Sequence, residues 1–432
     1  MDSSSTEVAS RASRLVGTFK DSFSPLAIRN FRIYLGGQAV SLVGTWLQLT
    51  AQGWVVWELS HSAASLGLVA MLGSLPILLL GPWAGVWADR LNRRILLIVT
   101  QAAAMMIAFV LAILIGTGQV QVWHLYITSV LLGIVAALDM PAQQAFLGDL
   151  SGMAEVRKAV LLNSMIFQTS RMIGPALAGL IIGTLGAAVA FWLNGFSFLA
   201  VIASLLLVRT NQVRASRLTN TWNGFREGMR FVGDHPRIQD LLLFAVLVTF
   251  LGLPIINIFP AVASQILNGD ATTLGWLLAA SGAGALVGVV FVLPITNSLQ
   301  RTGLVIGSAV VWTGAWFMVF SLSTQLLTSM LSVFLVGLGV PSVMTAAMGL
   351  LQVSAPMDMR ARLVSLFVIV TFGMQPLASL LVGYGAESLG ITTVIRINSL
   401  LLMAIPVLMW MFRPHLRQWE VACEADHTAV CI

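Results

Sequence analysis

The stretch that decides the fold is Gly81-Pro82-Trp83-Ala84-Gly85-Val86-Trp87-Ala88-Asp89-Arg90-Leu91-Asn92-Arg93-Arg94, which ends one apolar run and starts another. One acid and three arginines lie in a connection too short to fold by itself. Such a basic connection belongs on the cytoplasmic side of a bilayer. Small residues just before it allow a second helix to approach closely. Two interpretations follow: a loop that only fixes orientation, or a charged latch between two helix bundles that move.

The latch hypothesis requires side chains of opposite charge to meet in space. Asp89 can accept hydrogen bonds from a neighbouring helix N-terminus, where the helix dipole favours negative charge. We expect Asp139, near the cytoplasmic end of the fourth apolar run, to meet Arg93 or Arg94. The candidate latch residues are Gly85, Asp89, Arg90, Arg93, Arg94 and Asp139.

The composition is that of a polytopic membrane protein. The 432 residues are 58% hydrophobic and only 9% charged, whereas soluble domains carry about 25% charged residues. The formal net charge of +6 comes mostly from arginine. No basic stretch carries the interleaved aromatic residues of a nucleic-acid surface. We therefore attribute the positive charge to membrane topology and expect no nucleic-acid partner.

Apolar runs of about 20 residues, each long enough to cross a bilayer, recur along the chain. We count twelve of them, which predicts an all-α membrane protein with twelve transmembrane helices. The expected spans are residues 32–57, 64–88, 94–116, 122–142, 158–184, 187–208, 240–266, 272–295, 303–322, 326–349, 361–387 and 389–412.

The lysines and arginines predict the orientation of the chain. With the N-terminus placed inside, every Lys and Arg outside the spans is cytoplasmic, and only Arg171 and Arg396 lie within spans. This asymmetry predicts that both termini are cytoplasmic. The far-side loops hold acids instead, and we expect one of them, Glu387, to meet Arg396 across the outer turn.

The chain also repeats itself, which predicts two six-helix bundles of the kind found in transporters built from parallel repeats. Pro141 is matched by Pro341, and Gly174-Pro175 by Gln375-Pro376. The expected organisation is a cytoplasmic tail over 1–31, a first bundle over 32–208, a cytoplasmic linker over 209–239, a second bundle over 240–412 and a cytoplasmic tail over 413–432.

The linker is predicted to contain an amphipathic helix. Trp222, Phe225, Met229 and Val232 fall on one helical face. Such a helix can lie in the headgroup region, or it can pack as an ordinary surface helix on the loops. The sequence favours neither position over the other.

Arg171 lies in the middle of the fifth span, about 20 Å from its start at 1.5 Å per residue. A charge at that depth costs at least about 2.5–3.5 kcal/mol on insertion scales, so it is expected to face a cavity or a partner. The alternative is an arginine satisfied by carbonyls and polar side chains of packed helices. Possible partners are Gln48, Gln52 and Gln168, and with Arg171 they are candidates for the substrate path.

Glycine and proline mark two spans for irregular structure. Pro254, Asn257 and Pro260 break the seventh span, where an unwound helix can line a cavity, and Asn257 therefore joins the substrate-path candidates. In the fifth span, small and kinking residues predict a hinge with a close-packing face. The expected hinge residues are Gly174, Pro175 and Gly179.

The sequence predicts no enzymatic activity, no metal site and no cofactor. It contains no zinc spacing, no phosphate-cradling glycine loop and no nucleophile elbow. Cys423 and Cys431 lie beyond the last span and support neither a disulfide framework nor a metal site. Without an ATP-binding domain, any uphill transport must use a gradient or a separate partner.

The charged connection resembles the signature of the major facilitator superfamily, carried here by Gly85, Asp89, Arg90, Arg93 and Arg94. Further stretches look like its enterobactin-exporter-like branch, the transmembrane secretion effectors. These stretches are 44–48, 52–54, 66–69, 75–76, 88–90, 141–144 and 171–179. The resemblance implies a bacterial inner-membrane exporter of siderophores, macrolides or other hydrophobic compounds that works by alternating access with proton exchange.

Two other readings remain open at this point. One is an importer or a uniporter of a small solute. The other is a membrane module of the same fold that binds lipid or acts as a scaffold. The expected partners are a small-molecule substrate, the lipid bilayer and protons as coupling ion, and the chain is expected to act as a monomer.

Overall fold

The computed structural model describes residues 23–152, 155–208, 221–292, 302–354 and 359–413, with Pro356 and Leu416 as single positions. Within these ranges the chain is helical and has no β-strand. The helices are α1 (Arg29–Ser60), α2 (Ala63–Arg90), α3 (Arg93–Gly116), α4 (Val122–Ser151), α5 (Val156–Leu185), α6 (Ala187–Leu207), α7 (Thr221–Asp234), α8 (Pro236–Ile266), α9 (Ala271–Val287), α10 (Thr302–Leu322), α11 (Leu326–Ser354), α12 (Arg360–Gly373), α13 (Gln375–Leu389) and α14 (Ile391–Phe412).

Eleven stretches of the described chain are long and apolar enough to cross a membrane, with α12 and α13 sharing one interrupted span. Helix α1 is less apolar but has 32 residues, well above the roughly 20 that a span needs. Its polar side chains at Gln38, Gln48 and Gln52 are buried inside the protein rather than turned to lipid. Helix α1 therefore completes the twelve membrane-crossing helices that the sequence predicts.

The fourth span is longer than expected. The predicted end was residue 142, whereas α4 continues to Ser151 with Pro141 inside it. The helix continues because its apolar stripe does: Phe146 and Leu150 are buried one turn apart. Asp139 consequently lies twelve residues before the end of the helix, or about 18 Å from it.

The seventh span is irregular where its prolines predict it. Helix α8 passes through a π-helical turn at Val248–Gly252 and a 3-10 segment at Leu253–Ile258. Pro254 and Pro260 cannot donate backbone hydrogen bonds, which prevents a continuous α-helix here. The fifth span behaves differently, since α5 remains one helix through Pro175.

The linker contains a helix in the expected region, namely α7. Glu227 of α7 forms an ion pair with Arg362 at the start of α12, and Gly228 lies against the same arginine. The location of α7 in the headgroup region stays a prediction. Residues 209–220 of the linker lie outside the described ranges.

Helices α1 to α6 pack chiefly on one another, most densely in the pairs α2–α4, α1–α6 and α3–α6. Helices α8 to α14 form a second set, joined by the pairs α9–α11, α10–α11 and α10–α14. Two pairs form the densest connections between the sets, α5 with α9 and α2 with α13, while α2 also contacts α8 and α12, and α1 contacts α8 and α9. These two connections are where movement between the sets would be controlled. The domain boundaries at 32–208 and 240–412 stay a prediction.

Candidate functional site

The first connection between the helix sets lies at one end of α2. We call this end, with His61, outer and the end with Arg93 inner, according to the predicted orientation. A Cβ atom on Gly67 would lie 2.5 Å from the Ser379 carbonyl oxygen and 2.8 Å from the Gly383 Cα. Only glycine allows two helices to approach this closely. The outer ends of α2 and α13 are therefore in direct backbone contact.

The second connection joins α5 to α9 in the same way. A Cβ atom on Gly275 would lie 2.6 Å from the Pro175 carbonyl oxygen, and one on Gly179 would lie 2.8 Å from the Ala271 carbonyl oxygen. Pro175 and Gly179, expected as hinge residues, thus form a helix–helix contact in this state. The hinge role itself stays a prediction.

A carboxylate reinforces the outer connection. Glu387, near the end of α13, accepts hydrogen bonds from the backbone N–H groups of Ala63 at 2.8 Å and Ala64 at 3.4 Å. The first N–H groups of a helix lack intrahelical partners, and the dipole favours negative charge there. The expected contact of Glu387 with Arg396 is wrong, because the carboxylate is directed toward α2.

The inner half of α2 makes no comparable approach to the opposite helix set. A Cβ atom on Gly81 or Gly85 would meet no heavy atom within 4 Å. Trp83 and Trp87 in the same turns are exposed. Contact of α2 with the second set thus extends from its outer end to Leu78, which lies against Gly373, whereas the glycines nearer its inner end face open space.

An open cavity of about 580 Å³ lies between α1 and α5 in the inner half. Its walls are mainly apolar, with Val43 of α1 and Ile166 of α5 among them, and Arg32 is its charged member. Ligand sites for drug-sized molecules span about 300–1,000 Å³ and are mostly apolar with a few polar groups. The cavity has the size and lining of such a site.

A short 3-10 turn at Ser24–Ala27 contributes to the inner edge of this cavity, since Phe23 and Leu26 line it. The Ser24 hydroxyl donates to Glu155 at 2.6 Å, and Lys158 pairs with Glu155 at 3.2 Å. The hydrogen bond from Ser24 and the nearby ammonium group hold the pKa of Glu155 below its ordinary value. These contacts fasten the turn to the start of α5.

Arg171 faces the second helix set from α5. Its guanidinium carbon lies 5.7 Å from the centroid of the Trp46 ring, which is within cation–π range. It also lines a void of about 10 Å³, enough for roughly one water molecule. The other walls of this void come from α8 to α11, with Gly252, Ser281 and Phe317 among them. A charged side chain of one set therefore lines a void whose other walls belong to the second set.

The hydrogen bonds expected for Arg171 do not form. Gln48 accepts from Asn194 at 2.7 Å, and Gln52 donates to a serine of α4 at 2.7 Å. The Oε1 atom of Gln168 is buried without a partner. Within the described ranges, the Arg171 guanidinium has no hydrogen-bond or ion-pair partner. The cation–π contact with Trp46 is thus the one electrostatic interaction of the Arg171 side chain among the described residues.

The charged connection between α2 and α3 is fastened to two other helices. Arg93 Nη1 lies 2.9 Å from both carboxylate oxygens of Asp149 near the end of α4, and the two side chains are only 8% and 4% exposed. Arg94 donates to the carbonyl oxygens of Leu205 at 2.5 Å and Leu206 at 2.7 Å. These are free carbonyls at the end of α6. Both contacts stay within the first helix set.

The expected contact of Asp139 with Arg93 or Arg94 is wrong. Asp139 Oδ1 instead accepts hydrogen bonds from Thr100 and Gln101 of α3, at 2.6 and 3.0 Å. The reason is the length of α4, which carries Asp149 rather than Asp139 to the inner end. The sequence analysis missed Asp149 because it ended the fourth span at residue 142.

Three further candidates keep their roles as predictions only. Arg90 is exposed at the inner end of α2, and the side chain of Asp89 lies outside the described part of the structure. Asn257 donates to the Ser379 hydroxyl at 3.0 Å, a contact between α8 and α13 within the second helix set. The structure thus places Asn257 and Arg171 near the connecting helices, without showing a substrate path.

Residues 20–429 match the family model described as transmembrane secretion effector. The chain belongs to this family. It is a branch of the major facilitator superfamily, whose members are transporters.

Relatives of this secretion effector include two efflux proteins and a transporter. It is 27% identical over 392 residues to the multidrug efflux pump Tap of Mycolicibacterium fortuitum, covering 88% of this chain and 94% of Tap. It is 24% identical to macrolide efflux protein A of Streptococcus pyogenes, covering 86% and 93%. The staphyloferrin A transporter of Staphylococcus aureus is 23% identical, with 63% and 68% covered.

Solved transporter structures share the fold. A bacterial homologue of the human lysosomal transporter Spinster, inward-facing and unoccupied, matches with a TM-score of 0.68 at 14% identity, covering 91% of this chain and 98% of that one. The nucleoside transporter NupG matches with a TM-score of 0.65 at 13% identity, covering 89% and 100%. At this identity the likeness concerns the fold alone.

Proposed function

We propose that this secretion effector exports small, largely apolar organic compounds from the cytoplasm by alternating access coupled to proton entry. One observation carries the proposal: glycine contacts join the helix sets at the outer end of α2, while the glycines nearer its inner end, Gly81 and Gly85, meet no residue of the second set. This arrangement is the one needed to receive a compound from the cytoplasmic side. Rocking one set against the other would release it outside.

The moving bodies in this proposal are the two predicted bundles, residues 32–208 and 240–412. The Arg93–Asp149 and Arg94–α6 contacts hold the first bundle together, because all their partners lie within it. A bundle with such internal ties can move as one body. Glu387 and the paired glycines lie instead on the contact that must open.

The substrate class follows from the cavity and from two arginines. A mainly apolar cavity of about 580 Å³ suits a drug-sized compound better than a simple ion. Arg32 at the cavity and Arg171 between the helix sets favour neutral or anionic compounds rich in carbonyl groups, because guanidinium donates to such oxygens in a fixed fork. The staphyloferrin A named for one relative, a carboxylate siderophore, fits this description, whereas the macrolides named for another fit the size and apolar lining of the cavity.

The proposal places the protein in a bacterial cytoplasmic membrane, with both termini inside and the chain acting as a monomer. The basic connection Asn92–Arg94 is then cytoplasmic, as its charge requires. Reporter fusions after Gln119, Asn268 and Gln325 should be outside, and fusions after Asn92 and Asn223 inside. An odd number of crossings would contradict this topology.

The experiment that tests export uses inverted membrane vesicles, in which the cytoplasmic face points outward. Vesicles with and without the protein are given an acidic lumen and a panel containing erythromycin, a carboxylate siderophore and ethidium. We expect uptake of at least one neutral or anionic compound that depends on both the protein and the pH gradient.

The same vesicles separate the proposal from its alternatives. Transport down a substrate gradient without response to the pH gradient would indicate a uniporter. Accumulation only in right-side-out vesicles would indicate an importer. No transport of any panel compound, together with tight lipid binding, would favour a membrane module without transport activity.

A further inference from the structure

Helices α3 and α4 enclose a carboxyl group for which the export scheme above has no role. Asp139 lies twelve residues before the end of α4, or about 18 Å along the helix axis. Helix α4 is about 45 Å long and the hydrocarbon core of a bilayer about 30 Å thick, so Asp139, about 25 Å from the outer start of the helix, is part-buried in the inner part of the core. An ionised carboxylate there is costly unless it is paired, and such groups mark function or take up a proton.

The described partners of Asp139 are neutral. Thr100 and Gln101 of α3 donate to Oδ1, and Tyr34 of α1 is close enough for an electrostatic interaction. Gln143, one turn along α4, faces the same tyrosine. Among the residues that the structure describes, no Lys or Arg forms an ion pair with Asp139.

Charged groups on the helices around α4 are engaged elsewhere or lie at the inner end. Arg93 of α3 is bound to Asp149, and Arg171 of α5 contacts Trp46. Lys158 at the start of α5 is bound to Glu155, and Arg90 is exposed at the end of α2. The other described spanning acids are satisfied differently, since Asp149 and Asp240 have arginine partners and Glu387 caps α2.

The hydrogen bonds around Asp139 accommodate two protonation states. Thr100 Oγ1 lies 2.6 Å from Asp139 Oδ1 and 2.9 Å from the Leu97 carbonyl oxygen, but a hydroxyl has one proton. When Asp139 is ionised, Thr100 donates to it. When Asp139 is protonated, its O–H donates to Thr100, which then donates to Leu97. Neither state leaves the hydroxyl or the carboxyl without a partner.

Gln101 provides independent support for the protonated state. Its Nε2 donates to Asp139, while its Oε1 is buried without a partner, in a side chain only 7% exposed. A half-turn of the amide would bring Oε1 to the carboxyl, where it is an alternative to Thr100 as acceptor of the single proton of a carboxylic acid. Unpaired buried acceptors are rare, and protonation of Asp139 offers this one a partner.

On the basis of the proposed proton-coupled export, we infer that Asp139 is the proton-binding residue of the transport cycle. The step forms one O–H bond between a proton from the outer aqueous phase and the carboxylate. The bond breaks when the proton leaves to the cytoplasm, and no other covalent bond changes.

Asp139 lies on α4, which packs against α2, the helix that forms the outer contact with α13. Helix α4 packs against α2 so closely that a Cβ atom on Gly133 would lie 2.4 Å from the Gly73 carbonyl oxygen. Helix α2 is the helix whose outer end is held by Glu387 and Gly383. A change of charge between α3 and α4 therefore acts next to the helix that must separate from α13.

The first test needs no substrate. The purified full-length protein in detergent is titrated while the carboxylic C=O stretch is followed by infrared spectroscopy. We expect a buried carboxylic band that disappears as the pH rises, that is absent in Asp139→Asn and that remains in the exposed control Glu58→Gln. An unchanged titration in Asp139→Asn overturns the inference.

A second variant keeps the test valid if Asp139→Asn does not fold. Thr100→Val removes a donor that stabilises the ionised carboxylate, so the midpoint of the infrared titration should move to higher pH. A midpoint that does not move counts against the inference, because the hydroxyl would then not contact the titrating group.

The third measurement separates failure of the inference from failure of the proposed function. Acid-loaded inverted vesicles receive erythromycin, or the panel compound that the wild type moves best, and a pH dye reports proton release. We expect release with the wild type, Asp139→Glu and Glu58→Gln, and loss of release with Asp139→Asn. Release by Asp139→Asn equal to the wild type overturns the inference alone. No release by the wild type with any transported compound overturns the proton antiport itself.

Discussion

Glu387 and Ala63 are 324 residues apart in the chain, and a 2.8 Å hydrogen bond joins the Ala63 N–H to the Glu387 carboxylate. The bond crosses from the second helix set to the first, at the outer start of α2. It is compatible only with a closed outer side, because α2 and α13 must separate for a compound to leave there.

Replacing Glu387 by Ala should favour the state that is open to the outside. A carboxylate at a helix N-terminus contributes about 0.3–1 kcal/mol, which corresponds to a change of about twofold to fivefold in the closed-to-open ratio. Maleimide labelling of a cysteine at Val382, only 4% exposed here, measures the open fraction in a Cys423→Ser, Cys431→Ser background. The labelling rate should rise in Glu387→Ala. A rate equal to that of the parent would contradict the role of this bond.

The glycine contact between α2 and α13 should be intolerant of any side chain. In Gly67→Ala the new Cβ would lie 2.5 Å from the Ser379 carbonyl oxygen, so the outer ends cannot close and export should be lost. Gly81→Ala, on the same helix, meets nothing within 4 Å and should export normally. Efflux per folded molecule compares the two variants, and equal activity would show that the outer contact is dispensable.

The buried pair of Arg93 and Asp149 should affect stability more than mechanism. Removing one partner of a buried ion pair costs about 3–5 kcal/mol, whereas replacing both by apolar residues is often neutral. Asp149→Ala should therefore lower the thermal unfolding temperature of the purified protein by more than the double variant Arg93→Met, Asp149→Leu. If the double variant loses as much as both single variants together, the two residues are not coupled.

Arg171→Ala should leave folded protein in the membrane but reduce export, because the arginine bonds to no described side chain and faces the second helix set. Arg171→Lys should restore activity only in part, since a point charge cannot replace the planar fork. Membrane abundance and efflux are measured on the same samples. Normal efflux per folded molecule in Arg171→Ala would reduce the residue to a packing role.

The turn at Ser24–Ala27 should detach in acid. The pKa of Glu155 is lower in the folded protein than in the unfolded chain. Its contacts therefore stabilise the fold above the ordinary value of about 4.3 and are lost as the pH falls through the lower folded value. A cysteine at Leu26, in the background free of other cysteines, should become more accessible only in acid, measured as its labelling rate relative to that of a fully exposed cysteine, because thiol reactivity itself falls with the pH. With Glu155→Gln this cysteine should be more accessible at neutral pH as well. Identical labelling profiles with and without Glu155→Gln would show that Glu155 does not hold the turn.

Hydropathy and charge were sufficient to predict the twelve crossings and the interruption of α8. These features depend on transfer of segments from water to lipid, which is a property of local composition. The break near Pro254 likewise follows from a missing N–H group. The depth of Arg171 was predictable for the same reason, because it depends only on counting residues along one helix.

The partners of individual side chains were not predictable from local composition. Whether Asp139 or Asp149 reaches Arg93 depends on how far α4 extends and how it is rotated about its axis. One turn of helix, about 5.4 Å, exchanges one partner for another. Glu387 could not be matched to Ala63 either, because the donors to its carboxylate are backbone N–H groups, which carry no sequence signal.

The glycine contacts of α2 with α13 restrict where this protein can diverge. Positions 67 and 383 admit no larger residue without backbone movement, whereas the walls of the α1–α5 cavity are ordinary side chains beside open space. Mutations that change the range of exported compounds should therefore accumulate at cavity positions such as Val43 and Ile166. The outer contact should tolerate few substitutions, so one closing device can be combined with cavities that accept different compounds.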